Sequence, residues 1–234
     1  MSLLLVQILS KKGVVLAIDA DPATNLNQAL GVEAGRTVGG IREEMTRDIQ
    51  SGTLSPSVSK HDYLEGQIRA ALVESKGFDL LAIGRPEGPG CYCAANNMLR
   101  MSIDKLGRNY RYVVIDSEAG MEHISRQTTR DVDILVIVSD PTQRSIRTAA
   151  AIKGLIGEMR TRLGQIALVI NRSPDSLPPE IAQAAERLGF ASPLTIGQDP
   201  NLANLEIKGR PTTELPADSP LRNGVAELAT RLGL

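Results

Sequence analysis

Tryptophan is missing from this chain of 234 residues, and two Phe with four Tyr bring the aromatic share to only 3%. So few flat rings leave little on which bases could stack, which argues against a single-strand nucleic-acid binder. Charge of one sign is missing too: 26 Lys and Arg face 27 Asp and Glu, for a formal net charge of -1. That balance exerts no net pull on nucleic acid or on an anionic membrane. The apolar opening, Met1-Ser2-Leu3-Leu4-Leu5-Val6-Gln7-Ile8-Leu9, is followed rather than preceded by its lysines, Lys11 and Lys12, and no small-residue cleavage site comes next. It therefore departs from a secretory signal. No other apolar run approaches the length of a membrane span. The expectation is a soluble, cytoplasmic protein with neither nucleic acid nor membrane as partner.

Cysteine is the most telling scarcity. The chain has only two, and Gly90-Cys91-Tyr92-Cys93 places them one residue apart. Two cysteines cannot build a disulfide framework, and a bridge between these two would close a very small, strained ring. In an extended turn, side chains at i and i+2 point to the same side, so both sulfurs can face one metal ion. Two thiolates leave a tetrahedral site half built. Zinc or nickel would be completed by the same pair from the partner in a symmetric dimer, which makes Cys91 and Cys93 the candidate metal ligands.

With 42% hydrophobic residues and no low-complexity run, residues 1–234 read as one domain with a substantial core. Nearly continuous apolar runs recur at Val14 to Ile18, Phe78 to Ile83, Tyr112 to Ile115, Ile134 to Val138 and Ile166 to Ile170, with a weaker one at Pro193 to Ile196. Such runs suit parallel strands covered on both faces. Helical patterns lie between them, at Tyr63 to Val73, Thr142 to Leu163, Pro178 to Leu188 and Leu221 to Leu232. Strand and helix in alternation predict an α/β fold: a doubly wound, mostly parallel sheet flanked by helices.

Chemistry in such folds collects beyond the carboxyl ends of the strands. The first run ends in Asp19-Ala20-Asp21-Pro22, two carboxylates at the edge of the crevice. The run at Tyr112 to Ile115 ends in Asp116-Ser117-Glu118-Ala119-Gly120, an acid followed by a glycine able to approach a phosphate closely. The run at Ile166 to Ile170 ends in Asn171-Arg172, whose amide offers a purine edge one donor and one acceptor. Each alone reads as a turn or cap. Together they describe the crevice of a nucleotide hydrolase.

These segments resemble the nickel-insertion accessory ATPases of carbon monoxide dehydrogenase, within the dimeric ATPases that include the nitrogenase iron protein and the Min and Par proteins. The likeness rests on Val15-Leu16-Ala17-Ile18-Asp19-Ala20-Asp21-Pro22, on Gly90-Cys91-Tyr92-Cys93-Ala94-Ala95-Asn96-Asn97, and on Val113 to His123. Val169-Ile170-Asn171-Arg172 and Ile196-Gly197-Gln198-Asp199-Pro200 extend it toward the carboxyl end. The resemblance implies that Asp21 positions the attacking water, Asp116 holds magnesium through water, and Gly120 senses the γ-phosphate. It also implies that Asn171 reads adenine, with Asp199 and Pro200 in the loop over the base, and that Cys91 and Cys93 bind zinc or nickel across a homodimer. The implied activity is ATP-dependent maturation of carbon monoxide dehydrogenase, alone or joined to acetyl-CoA synthase.

Two departures accompany it. Members of that family begin with a strand and a loop of the type Gly-Lys-Gly-Gly-x-Gly-Lys-Thr, and residues 1–234 contain neither; Met1 to Lys12 reads as the helix that follows them. The expectation is a start placed late or a truncated product, with weak ATP hydrolysis and a sheet short of one central strand. In addition, Ile196-Gly197-Gln198-Asp199 lacks the proline that relatives carry near the strand end. His61, His123, Arg126 and Arg130 read as surface or packing residues. A Min or Par positioning ATPase and a nucleotide-independent metal scaffold are the alternative readings.

Overall fold

The computed structural model describes residues 1–33, 35–53, 59–84, 101, 103–120, 131–158 and 162–234, with the backbone alone at 131 and 158. Cys91, Cys93, His123, Arg126 and Arg130 lie outside the described residues. The chain is α/β and divides into two compact units, one of residues 2–118 with 210–213, the other of 1, 119–209 and 214–234.

The first unit runs α1 (Ser2–Leu9), β1 (Val15–Asp19), α2 (Leu26–Leu30), α3 (Val38–Gln50), α4 (Lys60–Ala70), β2 (Val73–Ser75), β3 (Phe78–Ala82) and β4 (Tyr112–Asp116). Its sheet has the order β2-β3-β1-β4. β1 is parallel to both β3 and β4, and all five of its residues are buried. That is the physical meaning of its unbroken apolar run: a strand covered on both faces has no polar side. Helices supply the cover through Ile41 and Met45 of α3 and Leu64 and Ile68 of α4, which join Leu16 and Leu81 in one core cluster.

Two features depart from expectation. α4 ends at Ala70, and Val73–Ser75 forms a short strand antiparallel to β3. Three residues with one half-buried and two exposed positions carry too little pattern to be read as a strand. α3 was hidden by Gly39-Gly40 in its first turn, since glycine disfavours helix. The helix forms because Thr37 caps it, its Oγ1 accepting from the Gly40 N–H at 3.1 Å, and because Val38, Ile41 and Met45 share a buried face.

The second unit runs β5 (Asp131–Ser139), α5 (Gln143–Glu158), β6 (Arg162–Ser173), α6 (Pro179–Arg187), β7 (Leu194–Gly197), α7 (Pro200–Ile207) and α8 (Pro220–Arg231). Its sheet is parallel throughout, in the order β5-β6-β7. The helical pattern expected to reach Leu163 stops at Glu158, because Arg162 and Leu163 already pair with Asp131 and Val132 in the β5–β6 ladder. Ile146, Ile170, Ala185 and Phe190 anchor the core of this unit.

All six apolar runs form strands. β4 ends one sheet and β5 begins the other, so among the described residues each keeps one unpaired edge. Val113 of β4 is 43% exposed and Val138 of β5 is 50% exposed.

Leu81 is wholly buried in β3. Leu81→Ala is expected to cost about 3 kcal/mol through lost burial and the remaining cavity, measured as a lower denaturation midpoint.

Candidate functional site

In the first unit the strand ends are knit together. The Ile83 N–H donates to the Asp19 carbonyl at 2.8 Å, and the Ala20 N–H donates to the Asp116 carbonyl at 2.8 Å. Asp19 is only 1% exposed, yet it carries a carboxylate. Its Oδ1 accepts from the Asp21 N–H at 3.2 Å and its Oδ2 from the Leu26 N–H at 2.9 Å. One buried side chain therefore folds residues 20–25 over the end of β1 and caps α2, whose own N-cap residue, Asn25, makes no side-chain capping bond. Burial raises the Asp19 pKa; the two N–H donors work against that rise, and the carboxylates of Asp116 and Asp21 add to it. Sequence reasoning placed Asp19 at the crevice edge and missed this role. The signal was its position as the last residue of a fully apolar strand.

Asp21 stands half-buried in the loop so formed, its Oδ1 accepting from the Ala23 N–H at 2.8 Å. Asp116 lies opposite Asp19 in the β1–β4 register, and its Oδ1 accepts from Ser2 Oγ of α1 at 2.5 Å. The structure thus brings Asp21 and Asp116 to one end of one sheet, with Asp19 between them in the chain of contacts. Magnesium takes one or two carboxylates and keeps several waters, and the half-buried Asp116 offers that kind of hard oxygen. Among the described residues, no group of three or more His, Cys, Asp or Glu is arranged to hold a metal ion. Gly120, which belongs to the second unit, ends its described stretch with φ 108°, a conformation that favours glycine, and among the described residues no atom lies within 4 Å of where a Cβ would stand. His61 sits in the first turn of α4, 3.6 Å from the Asp62 carboxylate.

The described stretch after β3 ends at Gly84. Gly84 has φ 70°, and a Cβ there would stand 2.6 Å from Thr37 Cβ. Thr37 bridges Ala82, and the Gly39 N–H donates to the Ile83 carbonyl at 2.9 Å. The start of α3 therefore fixes the backbone at Ile83 and Gly84.

In the second unit, Asn171, expected just beyond its strand, lies inside β6 two residues before its end at Ser173, and Asp199 lies two residues beyond the end of the neighbouring β7. The ladder slips register between Ile170 and Ser173, with Arg172 at φ 55° inside the slip and Ser173 paired with Gly197. The slip turns Asn171 out of regular pairing. Ser173 is 3% exposed, and its hydroxyl has no hydrogen-bond partner among the described residues. Asp199 and Pro200, expected in a loop, instead begin α7: Asp199 is its N-cap and Pro200 its first residue. The Asp199 carboxylate accepts from the N–H groups of Asn201, Leu202 and Leu221 and from Ser219 Oγ. Burial pushes its pKa upward, but Ser219 and the three N–H donors outweigh that and hold it below the ordinary value.

No protein-family model matches the chain. Over 230 residues it is 40% identical to the uncharacterized ATP-binding protein MJ0685 of Methanocaldococcus jannaschii, covering 98% of this chain and 91% of that protein. It is 38% identical over 160 residues to the carbon monoxide dehydrogenase accessory protein CooC of Rhodospirillum rubrum, covering 62% of this chain and 59% of that one. Among solved structures, an ATP complex of a McdA variant from Cyanothece superposes with a TM-score of 0.71 at 18% identity, over 100% of this chain and 90% of the other. A ParA family ATPase from Chlorobium tepidum TLS gives 0.66 at 19%, over 98% and 90%. The fold is the α/β fold of these ATPases, and the 40% identity over nearly the whole chain places the protein with ATP-binding proteins. The chain belongs to the Min, ParA and CooC group of P-loop ATPases.

Gly84→Ala is expected to lower stability by about 2 kcal/mol, from left-handed backbone strain and the clash with Thr37, seen as a reduced denaturation midpoint. Asp199 supplies a pH test. Its folded pKa lies below the ordinary aspartate value, so its contribution is present above that value and is lost as pH falls through the lowered one. Stability measured across acid pH should decline in that window, and Asp199→Asn should flatten the decline.

Proposed function

We propose that this protein is an ATP-dependent nickel-insertion factor, a metallochaperone ATPase for carbon monoxide dehydrogenase, working as a cytoplasmic homodimer with residues 1–234 acting as one nucleotide-hydrolase domain. The observation that carries the reading is the Cys91-x-Cys93 pair in a chain whose strand ends present Asp21, Asp116 and Asn171. The partial likeness to CooC supports it.

In this reading Asn171 pairs with the adenine edge, and the segment at Asp199 and Pro200 borders the base. Asp21 accepts a hydrogen bond from the attacking water and orients it, its loop held by the buried Asp19. Asp116 holds magnesium, with Ser2 fixing one of its oxygens, and Gly120 leaves room for the γ-phosphate. Magnesium bound there would neutralise charge developing on the phosphates. Residues 1–234 include no Gly-Lys-Gly-Gly-x-Gly-Lys-Thr loop, so ATP turnover by these residues alone is slow. Nickel or zinc is cargo. Two chains drawn together by ATP share four thiolates, and separation after hydrolysis opens that site and surrenders the metal.

A second reading, a Min or Par type positioning ATPase, is favoured by the fold likeness to the ParA family structure. Metal content separates the two. Elemental analysis and nickel titration of the purified chain should give about one metal per two chains, abolished in the Cys91→Ser, Cys93→Ser double variant. Unchanged metal stoichiometry in that variant would sink the metallochaperone reading and leave the positioning ATPase.

A further inference from the structure

Asp199 gathers four donors onto two oxygens. Oδ1 accepts from the Asn201 N–H at 2.9 Å and the Leu202 N–H at 3.4 Å; Oδ2 accepts from Ser219 Oγ and from the Leu221 N–H at 3.3 Å. A carboxylate has about four acceptor positions, so these donors fill it. Ser219 is wholly buried and is itself the N-cap of α8, its Oγ accepting from the Arg222 N–H at 3.1 Å. A relay therefore runs from the first turn of α8 through the Ser219 hydroxyl to Asp199 and into the first turn of α7. Both helices begin with proline, Pro200 and Pro220, whose fixed φ suits the first helical position. Immediately before Asp199 lie Gln198 and Gly197, and Gly197 pairs with Ser173, two residues beyond Asn171.

A side chain so occupied has no acceptor left for the amino group of a base. We infer that Asp199 and Ser219 are joint positioning residues for base recognition, acting through the main chain of residues 197–199 and not by touching the base. This rests on the adenine reading given under Proposed function. Ser219 thereby joins the site although it lies 20 residues beyond Asp199 in sequence. The base edge is shaped by the start of α8, and the specificity of the nucleotide site depends on a hydroxyl that no nucleotide meets.

Titration calorimetry on the full 234-residue chain with ATP and with GTP tests this. The ratio of the two affinities is the readout, because the phosphate contacts common to both nucleotides cancel and a general loss of stability does not alter it. The unsubstituted protein should prefer ATP. Asp199→Asn and Ser219→Ala should each lower that preference about tenfold, the effect of one charge-assisted hydrogen bond. The double variant should be no worse than either single one, since both break the same joint. Thr230→Ala removes an exposed hydroxyl that bonds the Ala226 carbonyl within α8 and should leave the ratio unchanged. If Ser219→Ala keeps full preference, the inference is overturned, and it is Ser219→Ala alone that decides should the Asp199 variant fail to fold. Loss of preference in Asp199→Asn only would mean that the carboxylate meets the base directly. An unsubstituted protein that binds ATP and GTP equally would overturn the adenine reading itself, an outcome distinct from the other two.

Discussion

A carboxylate buried at the end of β1 is the constraint on which the first unit depends. Asp19 is 1% exposed, and an isolated charge there would be costly; it persists because two main-chain N–H groups converge on it. Those N–H groups belong to Asp21 and Leu26, so the arrangement that makes the carboxylate tolerable also dictates the path of the chain between them. The main chain of Asp19 is tied as well, with Ile83 donating to its carbonyl. The loop with Asp21, the end of β4 with Asp116 and the end of β3 at Ile83 all take their positions from this one residue and its neighbours in the ladder.

How much of this was legible in the sequence depends on whether a feature leaves a periodic trace. Parallel strands did: a strand covered on both faces must be apolar throughout, and β1, β3, β4, β5, β6 and β7 all declare themselves that way. Features governed by hydrogen bonds left little trace. α3 carries two glycines where a helix should have none, and only the Thr37 cap with the Val38, Ile41 and Met45 face reveals why it forms. β2 is held by its partner β3, and nothing in Val73-Glu74-Ser75 alone requires a strand.

The candidate site divides along the same line. Acids at strand ends could be picked out because an ionisable residue closing an apolar run is conspicuous, and Asp21 and Asp116 do share one end of one sheet. What each acid does was harder to see. Asp19 and Asp21 differ by two positions and look alike on paper, yet one is an interior fastener and the other faces its loop. Asp199 looked like a loop residue; its four donors come partly from residues about 20 positions downstream, a separation that no local pattern reports. The register slip at Arg172 is likewise a property of two strands together.

The edges of β4 and β5, unpaired among the described residues, bear on how the protein behaves in bulk. An edge strand displays a row of vacant donors and acceptors, and soluble proteins usually guard such rows with lysine, proline or a bulge. Tyr112-Val113-Val114-Ile115 in β4 and Ile134-Leu135-Val136-Ile137-Val138 in β5 have none of these guards in their central residues. A formal charge of -1 gives neighbouring molecules little reason to stay apart. Among the described residues, these two short apolar ribbons are open places where neighbouring molecules could add a strand, and anything that lies along them would act as a solubiliser.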